Sequence, residues 1–93
     1  MTDGDTKAKA LGRLRRIGGQ VQGIQRMVEE EKPCVEILLQ LAAVQGAVEQ
    51  VQKLLVSRHI EAALTEAIRA GNGRDRQRKV SELLAVCTRF STR

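Results

Sequence analysis

Ninety-three residues make one domain, and a hydrophobic content of 42% is enough to fold it. A single Phe with no Trp or Tyr excludes an aromatic-rich barrel and a stacking reader of single-stranded nucleic acid. The net charge of +5 asks for a polyanionic partner.

Residues 1–6 are polar and read as a disordered tail, with Asp5 or Thr6 placed to cap the first helix. From Lys7, Leu11, Leu14, Ile17, Val21, Ile24 and Val28 recur at helical spacing. Gly18, Gly19 and Gly23 weaken that helix, each by up to about 1 kcal/mol relative to Ala, and allow another helix close. Glu29 to Lys32 is a polar break, and Pro33 suits the first turn of the next helix.

The second helix is the long one and runs to about Ala70. Cys34, Ile37, Leu41, Val44, Val48, Val51 and Leu55, then Arg58 or His59, recur in alternating steps of three and four. That is a heptad seam, and a seam asks for a partner helix. A second flank (Leu38, Ala42, Leu54, Ala62) is placed to pack on helix one. Ala70-Gly71-Asn72-Gly73 carries C-cap chemistry. A third helix follows from about Arg74, with Val80, Leu83, Leu84, Cys87 and Phe90 on its apolar face. The sequence thus predicts an all-α, three-helix protomer over residues 1–93, with no repeat or linker to divide it.

Cys34 and His59 stand at the two ends of the seam. On one straight helix they lie roughly 38 Å apart, so one chain cannot join them. Two copies paired antiparallel set each Cys34 beside the other copy's His59, with Gly46 near the crossing point. Cys34 opens its helix, where the positive end of the dipole favours thiolate. Thiolate with imidazole suits Cu(I), Zn(II) or Ni(II); two ligands satisfy only low-coordinate Cu(I). Position 63, four beyond His59 on the same face, is Ala and adds no ligand. The competing reading makes Cys34 and Cys87 core residues. The two cysteines form no disulfide framework. No acidic pair in an apolar frame, glycine-rich phosphate loop or Ser/His/Asp set supports catalysis, so the chain reads as a non-enzyme.

Between Lys7 and Arg26 stand six basic residues (Lys7, Lys9, Arg13, Arg15, Arg16, Arg26) and no acidic one. Lys9, Arg13 and Arg16 share a helix face that can track a phosphate backbone. Lys53 and Arg58 add charge to helix two. Arg74, Arg76, Arg78 and Lys79 form a second cluster that serves equally well as a solvated face. No signal peptide and no 18-residue apolar run are found, which predicts a cytoplasmic protein without a membrane partner.

The run Leu11-Gly-Arg-Leu-Arg-Arg-Ile-Gly-Gly-Gln-Val-Gln-Gly-Ile24, with Met27, Cys34, Leu41-Ala-Ala-Val-Gln45 and His59, closely resembles the CsoR/RcnR/FrmR family of bacterial transcriptional repressors. The resemblance covers about Lys7 to Phe90. It implies an antiparallel dimer, a dimer of dimers, binding to double-stranded operator DNA, and release when an effector engages the intersubunit site. By position it implies Cys34 and His59 as effector residues and Glu82 as a hydrogen-bond partner that fixes the His59 tautomer. It also implies Arg13 as a DNA contact on helix one, with Lys53 where Arg is common on helix two. Lys9, Arg15 and Arg16 extend that basic surface.

The departures concern the effector. Copper and persulfide sensors of the family carry Cys where this chain has Ala63, and nickel/cobalt sensors carry His there. The formaldehyde-responsive branch uses an N-terminal Pro where this chain has Thr2. The effector therefore stands open between a metal, Cu(I) or another transition ion, and an electrophile such as formaldehyde or a persulfide. The alternative from another class is a nucleoid-type helical oligomer that binds DNA non-specifically and has no effector.

Overall fold

The computed structural model describes residues 4–70 and 73–90. They form three helices, α1 (Gly4–Glu29), α2 (Cys34–Arg69) and α3 (Gly73–Arg89). At 1.5 Å per residue α2 is about 54 Å long. It sets the long axis of a molecule measuring 60 × 27 × 16 Å. α1 and α3 each pack on α2 and not on each other.

α1 begins three residues earlier than the periodicity suggests. Gly4, Asp5 and Thr6 are helical, and Thr6 is buried at 5% exposure, one turn from buried Ala10. The expected tail is therefore helix over residues 4–6; residues 1–3 lie outside the described residues. Asp5 pairs with Lys9 one turn on, at 3.3 Å.

The α1–α2 turn is built by its backbone. The N–H of Lys32 donates to the carbonyl of Met27 (2.9 Å) and that of Glu31 to Val28 (3.1 Å). This pair of hydrogen bonds is the Schellman closure, and it holds the residue after the helix in the left-handed region. Glycine usually takes that place; here it is Glu31, with φ 54°. Pro33 then caps α2 from outside, one residue before the place expected of it. Its φ is −53° and ψ 134°, and its carbonyl accepts from Glu36 (3.0 Å) and Ile37 (3.3 Å). Cys34 becomes the first helical residue.

α2 stops where Ala70 turns extended (ψ 130°) while its N–H still donates to Glu66 (2.9 Å). Gly71 and Asn72, read as cap residues, lie outside the described residues. Arg76 of α3 reaches back to donate to the carbonyls of Ala67 (3.2 Å) and Ala70 (3.3 Å). Those carbonyls belong to the last turn, where no helical N–H can serve them all.

The buried apolar residues are Ala10, Ile17 and Ile24 on α1, Val51 and Ala67 on α2, and Leu83 on α3. The faces are rotated from those expected. On α1, Leu11, Leu14, Val21 and Val28 are exposed while Ile17 and Ile24 turn in. On α2 the flank assigned to helix one is corrected. Leu38, Ala42 and Ala62 are exposed and only Leu54 is half-buried. Part of the seam turns inward instead, at Ile37, Val44, Val51 and Leu55, joined by Ala47. Leu41 and Val48 of the same seam stay exposed. On α3, Val86 and Cys87 flank Leu83, and Val80, Leu84 and Phe90 are exposed.

The physical reason is a shortage of partners. Each helix carries apolar side chains beyond those that its neighbours in one chain cover, although α2 has two such neighbours. Among the described residues fourteen large hydrophobic side chains are exposed against six buried apolar ones, and none is fully enclosed. By length and composition α2 qualifies as a membrane span. This corrects the expectation of no 18-residue apolar run, because residues 34–51 carry only Glu36 and Glu49 as charges. A core helix of a soluble protein passes the same test.

Candidate functional site

Cys34 and His59 ride on one unbroken helix, both exposed, with the Cys34 thiol free. They are separated by roughly 38 Å of α2 at 1.5 Å per residue. A single protomer does not bring them together. Among the described residues no three His, Cys, Asp or Glu side chains converge well enough to hold a metal ion. The seam's end, open in the sequence between Arg58 and His59, is divided. Arg58 is half-buried and paired with Glu61, while His59 faces out.

Two recesses meet at His59. The first, about 220 Å³, is lined by His59, Ala62, Ala63, Glu66, Lys79, Glu82 and Leu83. It brings Glu82 of α3 to the same pocket as His59. It also contains a pair the sequence reading passed over. Lys79 donates from Nζ to Glu66 Oε2 at 3.4 Å, tying α3 to α2. The signal for Glu66 was present, because positions 59, 62, 63 and 66 share one helix face. The second recess, about 360 Å³, is lined by Gln52, Leu55, Val56, His59, Val86 and Phe90. His59 thus stands between a charged pocket and an apolar groove. Cys87 is half-buried with its thiol free, as its place on the inner face of α3 leads one to expect.

The basic residues divide into free and engaged. Lys9, Arg13, Arg15 and Arg16 are all exposed on α1, and Lys53 is exposed on α2. Lys9 shares its charge with Asp5, but both side chains are mostly solvated and the pair is worth little. Among the described residues Arg13, Arg15, Arg16 and Lys53 make no ion pair. In the second cluster Arg76 and Lys79 reach across to α2, while Arg74 and Arg78 are exposed. Arg76 caps α2, Arg78 donates to Asp75 Oδ1 (3.0 Å), and Lys79 holds Glu66. The α1 surface is an open positive stripe.

A family model described as "Metal-sensitive transcriptional repressor" matches residues 6–89. The copper-sensing transcriptional repressor CsoR of Bacillus subtilis (strain 168) is 42% identical over 85 residues, covering 91% of this chain and 81% of its own. Among solved structures, the copper-sensing repressor CsoR with Cu(I) from Geobacillus thermodenitrificans NG80-2 aligns with a TM-score of 0.81 and 35% identity, over 99% of this chain and 93% of that one. The nickel-responsive transcriptional regulator InrS aligns with a TM-score of 0.76 and 37% identity, over 89% and 90%. One fold therefore serves a copper-sensing repressor and a nickel-responsive regulator.

Proposed function

Given that the chain belongs to the metal-sensitive transcriptional repressor family, and so acts as a repressor on operator DNA, we propose that its switch is an intersubunit site formed by Cys34 of one copy and His59 of another. The family is one of repressors, not enzymes. The observation that carries the reading is the stretch of α2 between these two residues. Both are exposed, they are far apart in one protomer, and the seam positions Leu41 and Val48 between them are exposed as well. Antiparallel pairing of two α2 helices covers that apolar surface and completes two equivalent Cys34/His59 sites.

The dimer pairs again into a tetramer, which covers further exposed apolar side chains and aligns several α1 stripes along one duplex. Lys9, Arg13, Arg15, Arg16 and Lys53 meet the phosphates, and each contact releases counterions. Glu82, sharing the pocket of His59, accepts a hydrogen bond from the imidazole and fixes its tautomer. The protein works in the cytoplasm, where its operator lies. The effector is a transition metal ion, Cu(I) or another; the second reading, a formaldehyde- or persulfide-like electrophile, rests on the nucleophilic Cys34. An effector needs only to bind the DNA-free conformation better than the DNA-bound one, and a coupling of about 1–3 kcal/mol is typical.

The test is fluorescence anisotropy of the reduced protein on DNA from its own upstream region, with and without one equivalent of each effector. At least tenfold release by one effector, abolished by Cys34→Ala with DNA affinity retained, is the expected result. Binding with no sequence preference, steep salt dependence and no release would favour the nucleoid-type alternative.

A further inference from the structure

Positive charge gathers at a second place besides α1. Residues 66–79, where α2 ends and α3 begins, carry five basic side chains against two acidic ones, Glu66 and Asp75. α1 has 26 residues and α2 has 36, so α2 runs past the start of α1 by about 15 Å at 1.5 Å per residue. The cluster is therefore a tip that α1 does not cover. Its cations differ in what the fold asks of them. Arg76 is engaged by the Ala67 and Ala70 carbonyls, and Lys79 by Glu66. Arg78 pairs with Asp75, but its side chain is 65% exposed and solvent leaves such a pair weak. Arg69 and Arg74 are exposed and make no ion pair among the described residues. A helix favours acidic side chains in its first turn and basic ones in its last. Arg69, in the last turn of α2, obeys that preference. Arg74, one residue into α3, opposes it, and no acidic side chain among the described residues offsets the cost.

We infer that Arg69, Arg74 and Arg78 form a second DNA contact, which grips the phosphates flanking the segment met by α1. The inference rests on the antiparallel pairing and the α1 contact described above. Pairing that sets Cys34 against His59 crosses the two α2 helices beside Gly46. Each α2 then overhangs its partner's α2 by the residues beyond His59, about 15 Å. The tips lie outside that pairing and stay open to a third molecule. Arg69 stands roughly 34 Å from the crossing point at 1.5 Å per residue. One turn of duplex measures about 34–36 Å. The two tips of a dimer are thus separated by about two turns, and both meet the same side of a straight duplex. Arg13, counted back from the α1–α2 turn, lies level with the middle of α2. The α1 stripes therefore take the centre of the site and the tips take its two flanks.

The experiment uses the full-length reduced protein on DNA from its own upstream region, with affinity read by fluorescence anisotropy over a salt series. The Arg69→Ala, Arg74→Ala, Arg78→Ala triple variant should bind at least tenfold more weakly. Its slope of log K against log salt should fall by about 1.8 or more, one phosphate contact of about 0.9 for each tip of a dimer. Helicity and sedimentation should not change. Arg74→Ala alone guards against a folding defect, since Arg74 holds nothing in the protomer; its slope should fall too, and Arg74→Lys should keep it. Hydroxyl-radical footprinting should show the triple variant losing protection in two patches about twenty base pairs apart, two turns of about ten each. An unchanged slope in Arg74→Ala and in the triple variant overturns the inference. So does a shift toward monomer with the slope retained, which would assign the tip to the pairing of copies. The α1 contact fails separately, when Arg13→Ala keeps its slope, and the switch fails separately, when Cys34→Ala still releases DNA on effector addition.

Discussion

The Arg76 guanidinium on α3 donates from Nε to the Ala67 carbonyl on α2, at 3.2 Å. A second donation, from Nη2 to Ala70, lies at 3.3 Å. One side chain thus finishes the long helix and anchors the short one. Hydrogen bonds to a charged donor are worth more than neutral ones, though solvent weakens the exposed member of this pair. Arg76→Ala should cost about 1–2 kcal/mol, read as a lower urea midpoint at fixed protein concentration. DNA affinity should change less than twofold, because the Arg76 guanidinium is engaged by the Ala67 and Ala70 carbonyls.

Glu31 occupies a left-handed position with φ 54°. A non-glycine residue held there costs of order 1–3 kcal/mol. Glycine removes that strain but adds freedom to the unfolded chain. The net gain for Glu31→Gly should be about 0.5–1 kcal/mol in chemical denaturation. A lowered midpoint would mean that the Glu31 side chain contributes something the turn geometry does not reveal.

Leu41 and Val48 are 43% and 41% exposed, so neither is a core residue of the protomer. Replacing each with Glu should leave helicity intact in circular dichroism. If α2 pairs with α2, Leu41→Glu and Val48→Glu bury charge at the interface, and sedimentation should shift toward the monomer. An unchanged sedimentation coefficient would place the interface elsewhere.

Arg13→Ala and Arg16→Ala should weaken binding to every DNA sequence alike. Each lost phosphate contact lowers the slope of log K against log salt by about 0.9. Arg76→Ala is the control, since the Arg76 guanidinium is engaged by the Ala67 and Ala70 carbonyls. Its salt slope should match that of the unaltered protein.

Much of this was legible in the sequence, and the misses share a cause. Three helices, the long seam and the Cys34/His59 separation follow from periodicity and spacing alone. The inward face of each helix did not. On α1 the apolar positions span two lines, Ile17 with Ile24 and Leu14 with Val21, and periodicity cannot say which line one neighbour will cover. The α2 seam asks for a partner helix, yet Val51 is 5% exposed within the protomer. Glu31 gave no signal, because the turn is closed by backbone bonds and tolerates a costly residue. Arg76 looked like one more solvated charge; its role depends on how α3 folds back on α2. Around the site, Glu82 was found by resemblance, while Glu66 and Lys79 required the α2–α3 packing.

The central claim is that Cys34 and His59 act across two copies, and subunit mixing tests it most directly. Cys34→Ala and His59→Ala proteins should each bind DNA and fail to respond to effector. Unfolded and refolded together, they form mixed dimers in which one site of two is whole. Random mixing makes about half the dimers hybrid, so about a quarter of the original effector-binding capacity should return. No recovered capacity in a mixture shown to contain hybrid dimers would contradict the intersubunit site.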